Sequence, residues 1–216
     1  MAQKQRLILG LGNSGSTYEG TRHNVGFEVI DRIAEHCGIV LQPHPRTNSV
    51  AGKGRWRGYP FMLAKPLTWM NLSGQTARSF QRNMDLENRE ILIVLDDIHL
   101  PVGVLRIRKS GGAGGHNGMQ SVIDALGNEH IPRLRIGIGG DFERGSQSDY
   151  VLSRFDDKEK KIVDQILDDA RDAVLEYIGK GVEVAMNQFN RRRFSGDPIS
   201  ETTQCDPNER SHHASL

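Results

Sequence analysis

Apolar residues recur along the chain with two different periods. Short runs of strand length, Arg6 to Gly10, Ser49 to Trp56, Tyr59 to Lys65, Ile91 to Leu95, Val104 to Arg108 and Leu134 to Ile138, alternate with segments of helical spacing. Val25, Val29, Ile33 and Cys37 fall four apart within Asn24 to Gly38, so this stretch reads as an amphipathic helix with Gly38 as its C-cap. Ser73 to Met84 reads as a second helix behind a Ser N-cap, and Asn117 to Leu126 as a third. The longest pattern, Lys158 to Ile178, carries Ile162, Ile166, Ala170, Val174 and Ile178 on one stripe. Arg57-Gly58 between two strand-like runs predicts a hairpin. Hairpins need antiparallel pairing and crossover helices parallel pairing, so the pattern predicts an α/β domain with a twisted mixed sheet flanked by helices.

Beyond residue 190 the pattern stops. In Arg191 to Leu216 only Phe194, Ile199 and Leu216 are large and apolar, too few to bury a core, so residues 1–190 are expected to form one domain and 191–216 a disordered polar tail. No apolar run approaches the roughly 18 to 20 residues of a transmembrane helix, and Met1 to Gln5 leads into a strand instead of a signal peptide. Cys37 and Cys205 are far apart and form neither a disulfide framework nor a CxxC site, which predicts a reducing, cytoplasmic setting.

With 28 Lys+Arg against 27 Asp+Glu the chain is nearly neutral, but the charges are polarised. Leu41 to Met84 has no acid and carries Arg46, Lys53, Arg55, Arg57, Lys65, Arg78 and Arg82. Leu100 to Met119, also acid-free, adds Arg106, Arg108 and Lys109, whereas Asp156 to Ile178 has eight acids and four bases. A basic face interleaved with Trp56, Tyr59 and Trp69 suits a polyphosphate or RNA partner, since phosphates attract cations and exposed bases stack on aromatics. The bland alternative is a solvated surface with clustered charges.

Gly10-Leu11-Gly12-Asn13-Ser14-Gly15 matches the dinucleotide pattern GxGxxG directly after a strand. That mechanism needs the helix to open at the loop and an acid about 20 residues later. Here Ser16 to Arg22 intervenes, and the region past the helix is acid-free. His23 stands at the start of the first helix, and Asp96-Asp97 ends a strand, where sites assemble in open α/β sheets. A carboxylate there accepts from one imidazole nitrogen, fixes the tautomer and leaves the other as a general base. Either aspartate fits, the other then facing solvent or capping the turn. Asn13, Asn71 and Asn117 each lie where a loop meets a helix, as turn or cap residues or as neutral amides that grip a carbonyl or oxyanion. There is no GxSxG elbow, P-loop or HExxH, and a His23, Asp96, His116 metal site lacks a local spacing signature, so neither metal nor cofactor is expected.

Five strings together resemble the bacterial-type peptidyl-tRNA hydrolases: Gly10-Leu11-Gly12-Asn13 through Tyr18, Thr21-Arg22-His23-Asn24-Val25-Gly26, Lys65-Pro66 through Trp69-Met70-Asn71-Leu72-Ser73-Gly74, Asp96-Asp97 through Leu100-Pro101-Val102-Gly103, and Gly114-Gly115-His116-Asn117-Gly118. The resemblance spans about residues 5–190. It implies a three-layer αβα monomer that cleaves the ester between a peptide and the 3′ ribose of tRNA, with His23 as base, Asp96 as its partner and Asn13 sensing the blocked amino group. It further implies that Tyr18, Trp69, Asn71 and Asn117 contact tRNA or peptide and that Arg106, Arg108 and Arg135 meet phosphates. Ser14 stands where the family usually has Pro, and Gly139-Gly140-Asp141-Phe142 replaces a Pro-Gly turn before an expected lid around Ser146 to Leu152. A non-catalytic, RNA-binding relative of the organellar splicing type is the competing expectation.

Overall fold

A computed structural model describes residues 5–190, so the tail expected at 191–216 lies outside the described residues. The strands are β1 (Arg6–Gly10), β2 (Gln42–His44), β3 (Ser49–Trp56), β4 (Tyr59–Pro66), β5 (Ile91–Asp97), β6 (Leu105–Arg108) and β7 (Arg133–Gly137). The helices are α1 (Val25–Cys37), α2 (Ser73–Met84), α3 (Asn117–Leu126), α4 (Gln147–Leu152), α5 (Asp157–Lys180) and α6 (Val182–Phe189). The sheet order is β2-β3-β4-β1-β5-β7-β6. β4, β1, β5 and β7 run parallel; β2 and β3 on one side and β6 on the other are antiparallel to their neighbours.

Side-chain alternation divides the core in two. Ile8, Phe61, Leu63, Leu92, Val94 and Ile136 pack with α1, α5 and α6, whereas Leu7, Leu9, Met62, Ile93 and Leu95 pack with α2 and α3. The result is a three-layer αβα domain. Its central strands are buried on both faces, which is why they read as unbroken apolar runs. The acid-rich α5 lies beside α1, where Asp168 and Asp164 accept from Nη1 and Nη2 of Arg32. Among the described residues no helix is long and apolar enough to cross a membrane.

The hairpin forms as expected, Arg57 and Gly58 both taking positive φ, as a tight two-residue turn requires. Three short elements, β2, α4 and α6, escape the periodicity reading because each is too brief to show a period. Ser73 is not the N-cap of α2: Leu72 holds that position, and Ser73 Oγ donates instead to the carbonyl of Met70. Ile162 falls off the buried stripe of α5 and is 38% exposed, since a strict four-residue step drifts from the 3.6-residue turn. At the outer edge of the sheet, Asn190 just after α6 bonds β6 like a strand. Its Oδ1 accepts from Ile107 N and its Nδ2 donates to Ile107 O.

Candidate active site

The first two motifs work by close packing. A Cβ on Gly10 would collide with the carbonyl of Gly26, and one on Gly26 with the carbonyl of Leu11. A Cβ on Gly12 would strike the Phe27 ring. These glycines let α1 lie against the end of β1, and they account for the GxG pattern without a dinucleotide. Two 3₁₀ turns, Ser16–Tyr18 and Arg22–Asn24, separate the loop from α1, so no helix N-terminus faces it as the dinucleotide fold requires. The second turn carries His23 to the carboxyl ends of the parallel strands.

There His23 Nδ1 lies 2.8 Å from Asp96 Oδ1, and His116 Nε2 lies 3.0 Å from the same oxygen. His116 Nδ1 accepts from Met119 N at the start of α3, so the proton of a neutral His116 sits on Nε2 and points at Asp96. With Asp96 ionised, the proton of His23 sits on Nδ1 and the Nε2 lone pair remains. Burial opposes protonation of His23, but the charge and hydrogen bond of Asp96 outweigh it and raise the imidazole pKa above its ordinary value. Burial alone would raise the Asp96 carboxyl; the two histidines prevail and hold it below the usual carboxylate range. Asp97, the alternative partner, is engaged elsewhere, accepting from His99 N at 2.8 Å and from Arg135 Nε.

Asn13 is locked from both sides. Its N–H donates to Asn24 Oδ1 at 2.8 Å, its carbonyl accepts from Asn24 Nδ2, and its Oδ1 accepts from Met70 N at 3.2 Å. That leaves its Nδ2 as the donor presented to an open cleft of about 1080 Å³, which is lined by Asn13, His23, Trp69, Asn71, Asp96 and Asn117, among others. Asn71 and Asn117 are exposed, and Trp69 is 65% exposed. One cleft therefore joins an oriented imidazole to three neutral amides and an aromatic surface, a set whose chemistry suits acyl transfer to water.

The family model for peptidyl-tRNA hydrolase matches residues 7–197. The chain belongs to this family. A peptidyl-tRNA hydrolase of Salinibacter ruber is 44% identical over 190 residues, spanning 88% of this chain and 100% of the relative. One from Caldanaerobacter subterraneus is 44% identical over 85% of this chain and 98% of its own length. The crystal structure of peptidyl-tRNA hydrolase from Acinetobacter baumannii superposes with a TM-score of 0.84 at 34% identity, covering 89% of this chain and 98% of that one.

Other expected peptidyl-tRNA hydrolase positions fall in different places. Arg108 and Arg135 line the cleft, the latter through its pair with Asp97. Arg106 does not line it: its Nη1 donates to the carbonyls of Leu105 and Asn190. Tyr18 is half-buried in its 3₁₀ turn, outside the lining. The segment expected as a lid is α4, and Gln147, Ser148, Val151 and Leu152 contribute to the cleft wall. Ser14, in place of Pro, sends its Oγ to the carbonyl of Leu67 at 3.4 Å. Residues missed by sequence reasoning are the ones that orient others: Asn24, Met70 and, above all, His116, weighed there only as a metal ligand. His is not a usual N-cap type, so nothing local marked it. His23, Asp96 and His116 each offer one ligand atom within 4.8 Å of the others. A cation there would have to displace both hydrogen bonds to Asp96.

Proposed function

We propose that the protein hydrolyses the ester of peptidyl-tRNA with His23 as the general base. Family membership makes it a carboxylic ester hydrolase acting on peptidyl-tRNA, and the observation that carries the base assignment is the His23–Asp96 bond of 2.8 Å at the cleft wall. Water attacks the ester carbonyl as His23 Nε2 takes its proton; Asp96 steadies the imidazolium that forms. The tetrahedral intermediate then collapses, the C–O bond to the ribose breaks, and His23 returns the proton to the 3′ oxygen. Peptide acid and tRNA leave. Asn13 Nδ2 with the amides of Asn71 and Asn117 holds the peptide end and the developing oxyanion without adding charge. Trp69 offers a stacking surface to the terminal nucleotide, and Arg108 and Arg135 meet backbone phosphates. Peptidyl-tRNA arises in translation, so a cytoplasmic monomer that recycles tRNA is the setting this reading carries.

The test is release of an N-acetylated amino acid from its tRNA by wild type and His23→Ala, with unacetylated aminoacyl-tRNA as control. Hydrolysis of the blocked substrate alone, lost in the variant with tRNA still bound, is the expected result. Bound tRNA without turnover by the wild type would overturn the reading in favour of an RNA-binding protein.

A further inference from the structure

The residue before the base has an unusual set of partners. Arg22 is buried, its side chain only 8% exposed, and its guanidinium lies between the rings of Tyr150 and Phe155, 4.5 and 4.6 Å from their centroids. Nη1 and Nη2 grip Glu159 at 2.9 and 2.6 Å, Nη1 also donates to Ile138 O at 3.2 Å, and Nε donates to Ser153 Oγ at 3.2 Å. The backbone joins in: Arg22 N donates to Ser153 O, and Thr21 bridges Arg154.

These partners are not scattered. Ile138 follows β7, Glu159 lies in the first turn of α5, and Ser153 closes α4. One side chain thus holds both ends and the middle of the excursion that carries α4, whose residues form part of the cleft wall. Glu159 in turn completes the capping box of α5 with Asp156, so the ion pair is fixed to a helix start. Lysine cannot replace this: a point charge neither forks to a carboxylate nor stacks flat between two rings.

We infer that Arg22 is a positioning residue that fixes the α4 wall of the cleft relative to His23. The inference rests on the proposed hydrolysis only for its kinetic half. Through Arg22 the base and the wall move as one body, so substrate that enters meets the wall already in place. Loosening the tie costs binding of the substrate before it costs the chemistry of His23, whose bond to Asp96 does not involve Arg22.

Two variants of the full chain test this, Arg22→Lys and the milder Glu159→Gln, which keeps an oxygen acceptor and safeguards folding. Hydrogen exchange needs no substrate: it is expected to speed up about tenfold across residues 139–158 while the central strands keep wild-type protection. With N-acetylated aminoacyl-tRNA, KM is expected to rise about tenfold, with kcat within about threefold and the pH profile unmoved. Wild-type exchange across 139–158, uniformly faster exchange throughout the chain, or a loss of kcat at constant KM would each overturn the assignment. If the wild type hydrolyses nothing, the functional reading fails, and the exchange result alone decides the role of Arg22.

Discussion

His116 donates its Nε2 proton to Asp96 Oδ1, the oxygen that also receives His23 Nδ1. One carboxylate oxygen is divided between two imidazoles whose ring centroids stand 4.8 Å apart. His116 therefore tempers the hold of Asp96 on the base. Removing it in His116→Ala leaves the full charge of Asp96 to His23, so the imidazole should become more basic. The acid limb of kcat/KM is expected to move to higher pH, with reduced turnover at neutral pH; a limb that moves to lower pH would count against this division of the charge.

Asp96→Asn has the opposite sign. As the proposed base His23 works when neutral, so the rate is expected to fall as pH drops through its pKa, which the charge of Asp96 keeps above that of an ordinary imidazole. Without the anion the limb should shift to lower pH, while kcat/KM falls about a hundredfold to ten-thousandfold from lost orientation and basicity. A variant close to wild-type activity would remove Asp96 from the mechanism.

Asn13→Asp replaces the donor Nδ2 by a carboxylate oxygen and sets a negative charge where the proposed oxyanion would develop. Loss of more than about a hundredfold in kcat is expected, exceeding the loss in Asn13→Ala. Melting temperatures check the structural share, since the acceptor for Met70 N contributes only about 1 kcal/mol. Equal kinetic effects in the two variants would show that charge at this position does not matter, and a near-wild-type Asn13→Asp that the amide acts through shape alone.

Arg108 and Arg106, two residues apart on β6, should behave differently. Arg108→Glu is expected to weaken tRNA affinity and to reduce the slope of log affinity against log salt by about 1 or more. Arg106→Glu should leave that slope nearly unchanged and lower stability, because Arg106 holds the carbonyl of Asn190 after α6. A salt slope that responds to Arg106 instead would restore it as a phosphate contact.

Gly26→Ala tests the close approach of α1 to β1. The added methyl has nowhere to go but toward the carbonyls of Leu11 and Val94, and a loss of about 1–3 kcal/mol in urea unfolding is expected. Activity should fall too, because His23 lies in the turn that leads directly into the displaced helix. Wild-type stability would mean the contact relaxes freely.

What the sequence made legible follows from period and length. The hairpin, the central strands and α1, α2, α3 and α5 each repeat long enough to declare themselves; β2, α4 and α6 do not. The residue pattern by itself left Asp96 and Asp97 open because adjacent residues on a strand face opposite ways, and only the family resemblance pointed to Asp96. Asp96 shares the parity of Leu92 and Val94, which pack on the α1 side, whereas Asp97 shares that of Leu95 and meets Arg135. Only the fold says on which side α1 lies. In the sequence Arg22 stands only within a motif string and Arg106 as an expected phosphate contact; that one is stacked and buried while the other holds a carbonyl next to α6 depends on partners more than 80 residues away.

The pairing of Asn190 with Ile107 has a bearing on how the molecule meets copies of itself. β6 is the outermost strand on its side, and an open strand invites another chain to add to the sheet. The carboxamide of Asn190 has the shape of a peptide group and fills the donor and the acceptor of Ile107 that such an intruder would seek. A single side chain thus occupies one of the positions on this edge to which a further strand would add.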